Sequence, residues 1–398
     1  MSQAKISAIT TSDSLAAFCK RHADSPYLMI DTEFLREQTY YPKVCLVQLA
    51  GPEEAVVVDA LAPGQDLTLL RPLLADARIV KVFHAGRQDL EIFYNLFQFV
   101  PAPLFDTQLA AMVCGFGEQV AFDTLVRRIT GESLDKMSRF TDWARRPLSE
   151  RQLAYALADV VHLRPVYEAL AKQLETQKRG SWIAEDLKAL GDPALYRAAP
   201  DLAWQRIKVR SNDLGFLGRL KALAAWREEE AQTRDLPRQR LLKDEQLQEI
   251  AAHNPTDEAR LAHTRGISQQ VAQGKLGQRI LATLAAAEPL PADEKPRRPE
   301  RPAGTPPGPR VELLKVLLRL AAETHGVASR LIASGSDIDR LAAGETEGLL
   351  PLTDWRLEVF GNDALALAAG RLALASEGDS LRVLVPGPDG GWQERPRA

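Results

Sequence analysis

Four short apolar runs, at 27–34, 44–50, 54–59 and 78–84, are spaced so that few sheets can be built from them. The first three are too close together for helical crossovers, with Gly51 and Pro52 turning the chain between the second and third, so an antiparallel meander is expected. A helical pattern at 66–75 precedes the fourth run and lets it return parallel to the first. A short fifth strand is expected near 104–107, and helices over most of 107–175. The expectation is an α/β unit, a mixed sheet flanked by helices.

The first run, Tyr27, Leu28, Met29 and Ile30, ends in Asp31, Thr32, Glu33 and Phe34. Side chains alternate along a strand, so Asp31 and Glu33 share one face and Thr32 takes the other. Carboxylates held this close raise each other's pKa unless a cation sits between them, and Mg²⁺ or Mn²⁺ suits oxygen ligands. A D-x-E at a strand end is more often a solvated turn, so the weight falls on two further acids. Asp89 follows a buried strand and a glycine turn, in Val82, Phe83, His84, Ala85, Gly86, Arg87, Gln88, Asp89. Asp159 lies in the Ala/Leu-rich helix pattern 153–163, four residues after Tyr155 and on the same face.

These blocks resemble the three motifs of the DEDD superfamily of 3′-5′ exonucleases, in the branch with tyrosine before the last aspartate. Further stretches resemble bacterial ribonuclease D: Asp31 to Arg36 followed by Tyr40, Tyr41 and Pro42; His84, Ala85, Gly86; Thr141, Asp142, Trp143; and Arg146 to Gln152. Gln88 departs mildly from the pattern, standing where the family often has an acid. The resemblance implies a ribonuclease H-like fold and phosphodiester hydrolysis from the RNA 3′ end with two divalent ions, Mg²⁺ or Mn²⁺. Asp31 then bridges both ions, Glu33 and Asp159 hold the nucleophile-side ion, and Asp89 holds the leaving-group ion, partly through water. Tyr155 orients the attacking water, because a phenol with a pKa near 10 is a poor base at neutral pH. Transfer-RNA precursors are the implied substrate and nucleoside 5′-monophosphates the products. Alternatives that use the same residues are a 3′-5′ DNA exonuclease and a catalytically silent RNA-binding adaptor. No G-x-x-x-x-G-K-[ST] loop accompanies them, which weighs against a helicase-linked DNA enzyme.

Substrate contacts are expected from Phe34, by stacking on the terminal base or sugar, and from His84 beside the second motif. Lys136, Arg139 and Arg146 are expected to contact phosphates. Trp143 is expected to pack rather than bind. Cys19, Cys45 and Cys114 are too few and scattered for a zinc site or a disulfide framework.

A length of 398 residues implies two or three domains. The exonuclease domain is expected over 1–178 and a connector over 179–204. A helical module over 205–286 resembles the helicase-and-ribonuclease-D C-terminal domain. Eight prolines in 289–309 mark 287–309 as an extended, mobile linker. A second, divergent helical bundle is expected over 310–385, with helices at 311–323, 328–332 and 363–374, and a disordered tail over 386–398. Net charge is −3 and unevenly spread. Residues 205–285 hold 14 Lys and Arg against 10 Asp and Glu, whereas 310–398 hold 10 against 13, so RNA affinity is expected mainly in the middle module. The polar N-terminus lacks a signal-peptide core, and no 18 uncharged apolar residues run together. A cytoplasmic monomer with no membrane partner is the expectation.

Overall fold

The computed structural model describes residues 8–135, 141–209, 211–295 and 308–395. Its N-terminal sheet has the order β3-β2-β1-β4-β5, built from β1 (Tyr27–Leu35), β2 (Lys43–Ala50), β3 (Ala55–Asp59), β4 (Val80–Phe83) and β5 (Leu104–Asp106). The first three strands pair antiparallel, and β4 and β5 run parallel to β1, as the spacing of the apolar runs predicts. Two faces follow from strand alternation. Leu28 and Ile30 pack under α1 (Ser12–Arg21), α2 (Arg71–Ala75) and α3 (Arg87–Phe97), in a core that contains Leu15, Phe18, Leu74 and Phe93. Met29, on the opposite face, packs with Val160 and Leu163 of a long helix.

That helix is the last of the domain, after α4 (Thr107–Val113) and α5 (Phe122–Thr130): α6 spans Glu150–Thr176. Ser149 caps it with a reciprocal box to Gln152, which satisfies end amides that a helix otherwise leaves unpaired. Leu153, Ala156, Val160, Leu163, Val166 and Leu170 recur at intervals of three and four, giving one buried stripe along the sheet.

A short helix α7 (Ala184–Leu190) leads to the middle module, α8 (Leu214–Thr233), α9 (Arg238–Leu241), α10 (Asp244–His253), α11 (Glu258–Ala262), α12 (Gln269–Gln273) and α13 (Lys275–Ala285). The first residues of the expected linker are packed rather than extended. Leu290 is buried and its N–H donates to the Leu214 carbonyl at 2.9 Å. A Cβ at Gly218 would lie 1.9 Å from the Glu288 carbonyl oxygen, so only glycine admits this crossing. The prolines between 296 and 307 lie outside the described residues.

The last module corrects two expectations. Its helices are α14 (Gly308–His325), α15 (Ser329–Ile332), α16 (Gly335–Ala342), α17 (Asp354–Arg356) and α18 (Asn362–Ala368), with a π turn over Leu357–Gly361. The chain then forms strands rather than continuing as helix to 374: β6 (Ala373–Glu377), β7 (Ser380–Pro386) and β8 (Trp392–Glu394) pair antiparallel. The glycines and proline that read as a disordered tail make the β7–β8 turn, closed by Gly387 N–H to the Gly391 carbonyl at 2.7 Å. The module also shares a core with the exonuclease domain: Val113, Leu125, Leu170 and Ile183 pack in one cluster with Leu314, Leu331 and Phe360. Trp182 and Trp355 stack at 4.3 Å with planes 3° apart, and Arg179 and Arg356 lie over their respective rings. No helix among the described residues is long and apolar enough to cross a membrane.

Candidate active site

Alternation in β1 sends Asp31 and Glu33 to the α6 face, where Asp159 descends beside the buried stripe. Oxygens of Asp31, Glu33 and Asp159 lie within 4.8 Å of one another. The ladder helps to place them. Glu33 pairs with Leu46 and Phe34 with Val44, so Cys45 is an extra residue in β2, a bulge that twists the end of β1 beside the acids.

Asp89 approaches from the other side of the strand. It sits in the first turn of α3, and its carboxylate accepts from the Thr32 hydroxyl at 2.5 Å. Thus the residue between the two strand acids, pointing to the opposite face, tethers the fourth. The turn that delivers Asp89 is held by Asp106 at the end of β5. Its carboxylate accepts from the Ala85 and Gly86 amides at 3.2 and 2.9 Å and also caps α4 through Gln108 and Leu109. Gly86 is dictated by space, because a Cβ there would come within 2.5 Å of the Phe83 Cβ. Sequence reasoning missed Thr32 and Asp106; the signal available was a polar residue inside a buried strand and an aspartate at a strand–helix junction.

Burial pushes the Asp31 carboxyl well above the usual carboxylate range, and the Asp159 charge adds to the rise. Asp89 is raised in the same way, by burial first and then by Asp31, with the Thr32 hydrogen bond opposing. Acids that resist ionisation together form a set that a cation would neutralise, and hard oxygen donors suit Mg²⁺ or Mn²⁺.

Tyr155 lies one helical turn before Asp159 and packs beside Trp143, with ring centroids 6.0 Å apart. A cleft of about 150 Å³ opens against Tyr155, Ala158 and Asp159, walled by Leu134, Asp135 and Arg151.

The expected substrate contacts fall in varied places. Arg146 forms a two-point ion pair with buried Asp59, at 2.7 and 2.5 Å, and donates to the Trp143 and Cys45 carbonyls. Its guanidinium therefore fastens the 142–148 loop to the sheet and supports Trp143 over Tyr155. The His84 Nδ1 lies 2.9 Å from the Thr107 hydroxyl, which in turn donates to the Phe83 carbonyl, and burial lowers the His84 pKa. Phe34 is half-buried against the α1/α2/α3 core. Lys136 and Arg139 lie outside the described residues. Cys19, Cys45 and Cys114 are free thiols.

Residues 6–175 match the family model described as 3′-5′ exonuclease, and residues 216–284 match the HRDC domain. The chain is 52% identical over 375 residues to ribonuclease D of Gluconacetobacter diazotrophicus, covering 94% of this chain and 95% of that one. It is 49% identical to ribonuclease D of Granulibacter bethesdensis, covering 95% and 96%. This chain belongs to the ribonuclease D family. The crystal structure of Escherichia coli RNase D, described as an exoribonuclease involved in structured RNA processing, superposes with a TM-score of 0.74 at 31% identity, covering 92% of this chain and 99% of that one. The family makes the chain a 3′-5′ exoribonuclease, and the fold is the expected mixed sheet flanked by helices followed by helical modules.

Proposed function

We propose that this exoribonuclease trims structured RNA, transfer-RNA precursors among them, by metal-dependent hydrolysis that releases nucleoside 5′-monophosphates one at a time. The observation that carries the reading is the convergence of Asp31, Glu33 and Asp159 oxygens within 4.8 Å, with Tyr155 one turn away. Asp31 is central and would be shared between two divalent ions, with Glu33 and Asp159 on one side and Asp89 on the other. When bound, such ions lower the pKa of an attacking water and offset charge at the departing 3′ oxygen. The protein's own part is orientation. Tyr155, one helical turn before Asp159, would orient an attacking water through its hydroxyl. Arg146 and Trp143 hold the tyrosine ring, and Asp106 and Thr32 hold Asp89.

Support for an RNA path comes from the seam between the exonuclease and HRDC modules. Tyr40 donates to Glu228 at 2.5 Å, and the Asp235 carboxylate accepts from the Tyr40 and Tyr41 amides at 3.0 and 3.1 Å. Beside this joint a cleft of about 490 Å³ is lined by Arg36, Arg87, Arg206 and Arg238 with Glu91, Tyr40 and Tyr41. Arg36 pairs with Glu91, and Arg206 and Arg238 pair with Glu228. A phosphate there would compete with these carboxylates, while the two tyrosines offer rings to unstacked bases.

The test is incubation with 3′-extended transfer-RNA precursor and matched DNA, 5′-labelled, with Mg²⁺, with Mn²⁺ and with EDTA. Stepwise shortening of RNA from the 3′ end, dependent on metal and releasing 5′-monophosphates, is expected. Undiminished cleavage in EDTA, or release of 3′-monophosphates, would overturn the metal-dependent reading. Equal rates on DNA would overturn the RNA preference.

A further inference from the structure

The sequence of β2, Lys-Val-Cys-Leu-Val-Gln-Leu-Ala, has one polar amide in its interior, Gln48. It is completely buried, and neither its Nε2 nor its Oε1 has a hydrogen-bond partner. A primary amide with all its bonding capacity unmet in a dry core is costly, and a leucine or methionine would fill the same space without that cost. Such a group in an otherwise well-satisfied sheet calls for a reason.

Its position supplies one. The ladder pairs Gln48 directly opposite Asp31, which puts both side chains on the α6 face with Cβ atoms about 4.5–5.5 Å apart, as in any such pair. The neighbouring rungs on that face are apolar on the β2 side. Ala50, opposite Met29, belongs to the cluster with Val160, and Leu46, opposite Glu33, belongs to the cluster with Ala156. The Asp31/Gln48 rung thus lies between two apolar clusters, beneath the turn of α6 that carries Asp159.

We propose that Gln48 is a positioning residue for Asp31, its Nε2 donating to the Asp31 carboxylate in the ionised, cation-bound state and fixing the direction in which the carboxylate oxygens point. The proposal rests on the metal-dependent reading above. Ligating carboxylates depend on such outer hydrogen bonds, and loss of one typically costs 10–100-fold in metal affinity or activity. A glutamine kept only for packing would have no such influence.

The experiment compares the full-length parent with Gln48→Met, Gln48→Leu and Asp31→Asn by calorimetric Mn²⁺ titration, by melting in EDTA, and by steady-state cleavage of a short RNA. Expected is a Gln48→Met protein that melts in EDTA at or above the parental temperature. Its Mn²⁺ affinity should fall about 10–100-fold, and its kcat should fall more than its KM changes. Gln48→Leu should behave alike, and serves if the methionine variant does not fold. Either folded variant binding Mn²⁺ within about twofold of the parent, while Asp31→Asn loses binding, would overturn the role of Gln48 and leave the metal reading intact. Parental Mn²⁺ affinity in Asp31→Asn would instead overturn the metal reading, and this proposal with it.

Discussion

At the scale of single residues, the site is a repulsive arrangement held in place by its surroundings. Burial raises the carboxyls of both Asp31 and Asp89 above their unfolded values. A raised carboxyl costs nothing below the unfolded pKa near 4; the cost grows as pH climbs through the interval up to the raised folded value and is complete above it. Asp31→Asn should therefore raise the melting temperature in EDTA at pH 7.5, by roughly 2–4 °C for each kcal/mol of repulsion relieved, with the advantage fading toward pH 4. Its kcat should fall by several orders of magnitude, since no neutral group replaces a shared carboxylate. Calorimetry in EDTA across pH 4–8 and single-turnover cleavage check both halves. Tyr155→Phe removes only a hydroxyl. Mn²⁺ affinity should persist while kcat drops by roughly 10²–10⁴, and Mn²⁺ binding as weak as that of Asp159→Asn would show that Tyr155 ligates rather than orients.

Much of this residue-level picture was legible in the sequence, because each acid sits in a short block whose local geometry is set by strand alternation or helical spacing. What escaped was whatever depends on a partner distant in the chain. Arg146 looked like a phosphate ligand in a basic stretch, but Asp59 lies 87 positions away and claims the guanidinium. Gln48 was hidden inside an apolar run, where one polar letter is easily passed over.

At the scale of elements, delivery of Asp89 depends on the turn between β4 and α3. Ala85 adopts φ 54° and Gly86 rests directly on Phe83, with Asp106 tying both amides down. Gly86→Ala has an acceptable backbone angle but no room, since the obstructing atom is a Cβ fixed to the strand. It should destabilise by about 1–3 kcal/mol through overpacking. It should also displace the start of α3, for which a loss of about 10²-fold in kcat is the scale of a 1 Å error. Urea unfolding and steady-state kinetics on the variant test this; parental values for both would mean the turn is slack. The strands β1–β5 were readable from their runs, yet β6–β8 were not. Their breakers, Gly387, Pro388, Gly390 and Gly391, serve a tight turn, and composition alone does not distinguish a turn from a frayed end.

At the scale of the whole molecule, the modules are joined by side chains as well as by chain. The HRDC module meets the exonuclease domain at the Tyr40–Glu228–Asp235 joint, and the arginine-lined cleft beside it predicts an electrostatic grip. Replacing Arg87 by glutamine, which leaves the charge partners of buried Glu228 in place, should weaken binding of a transfer-RNA precursor by an Asp31→Asn protein. The log–log salt slope should become shallower by roughly 0.7–0.9 for each phosphate that the cleft no longer holds. Binding isotherms across a salt series decide it, and parallel lines of equal affinity would remove the cleft from the RNA path.

The core shared by Leu125, Leu170 and Ile183 with Leu314, Leu331 and Phe360 also has a history in time. A ribosome has made every residue of the proposed catalytic set once it passes Asp159, yet the apolar flank of α4 to α6 stays uncovered until the chain has been made beyond Phe360. At about 5–20 residues per second the delay is on the order of 10–40 s. Through that interval the nascent nuclease carries a sticky patch and an unfinished scaffold. Ribosome-stalled chains ending near 290 should accordingly be cut by protease in α4–α6 much faster than chains stalled after the whole sequence has emerged. Equal resistance would mean that the exonuclease domain completes its own core. The exonuclease core would thus be completed only when the last module has been made.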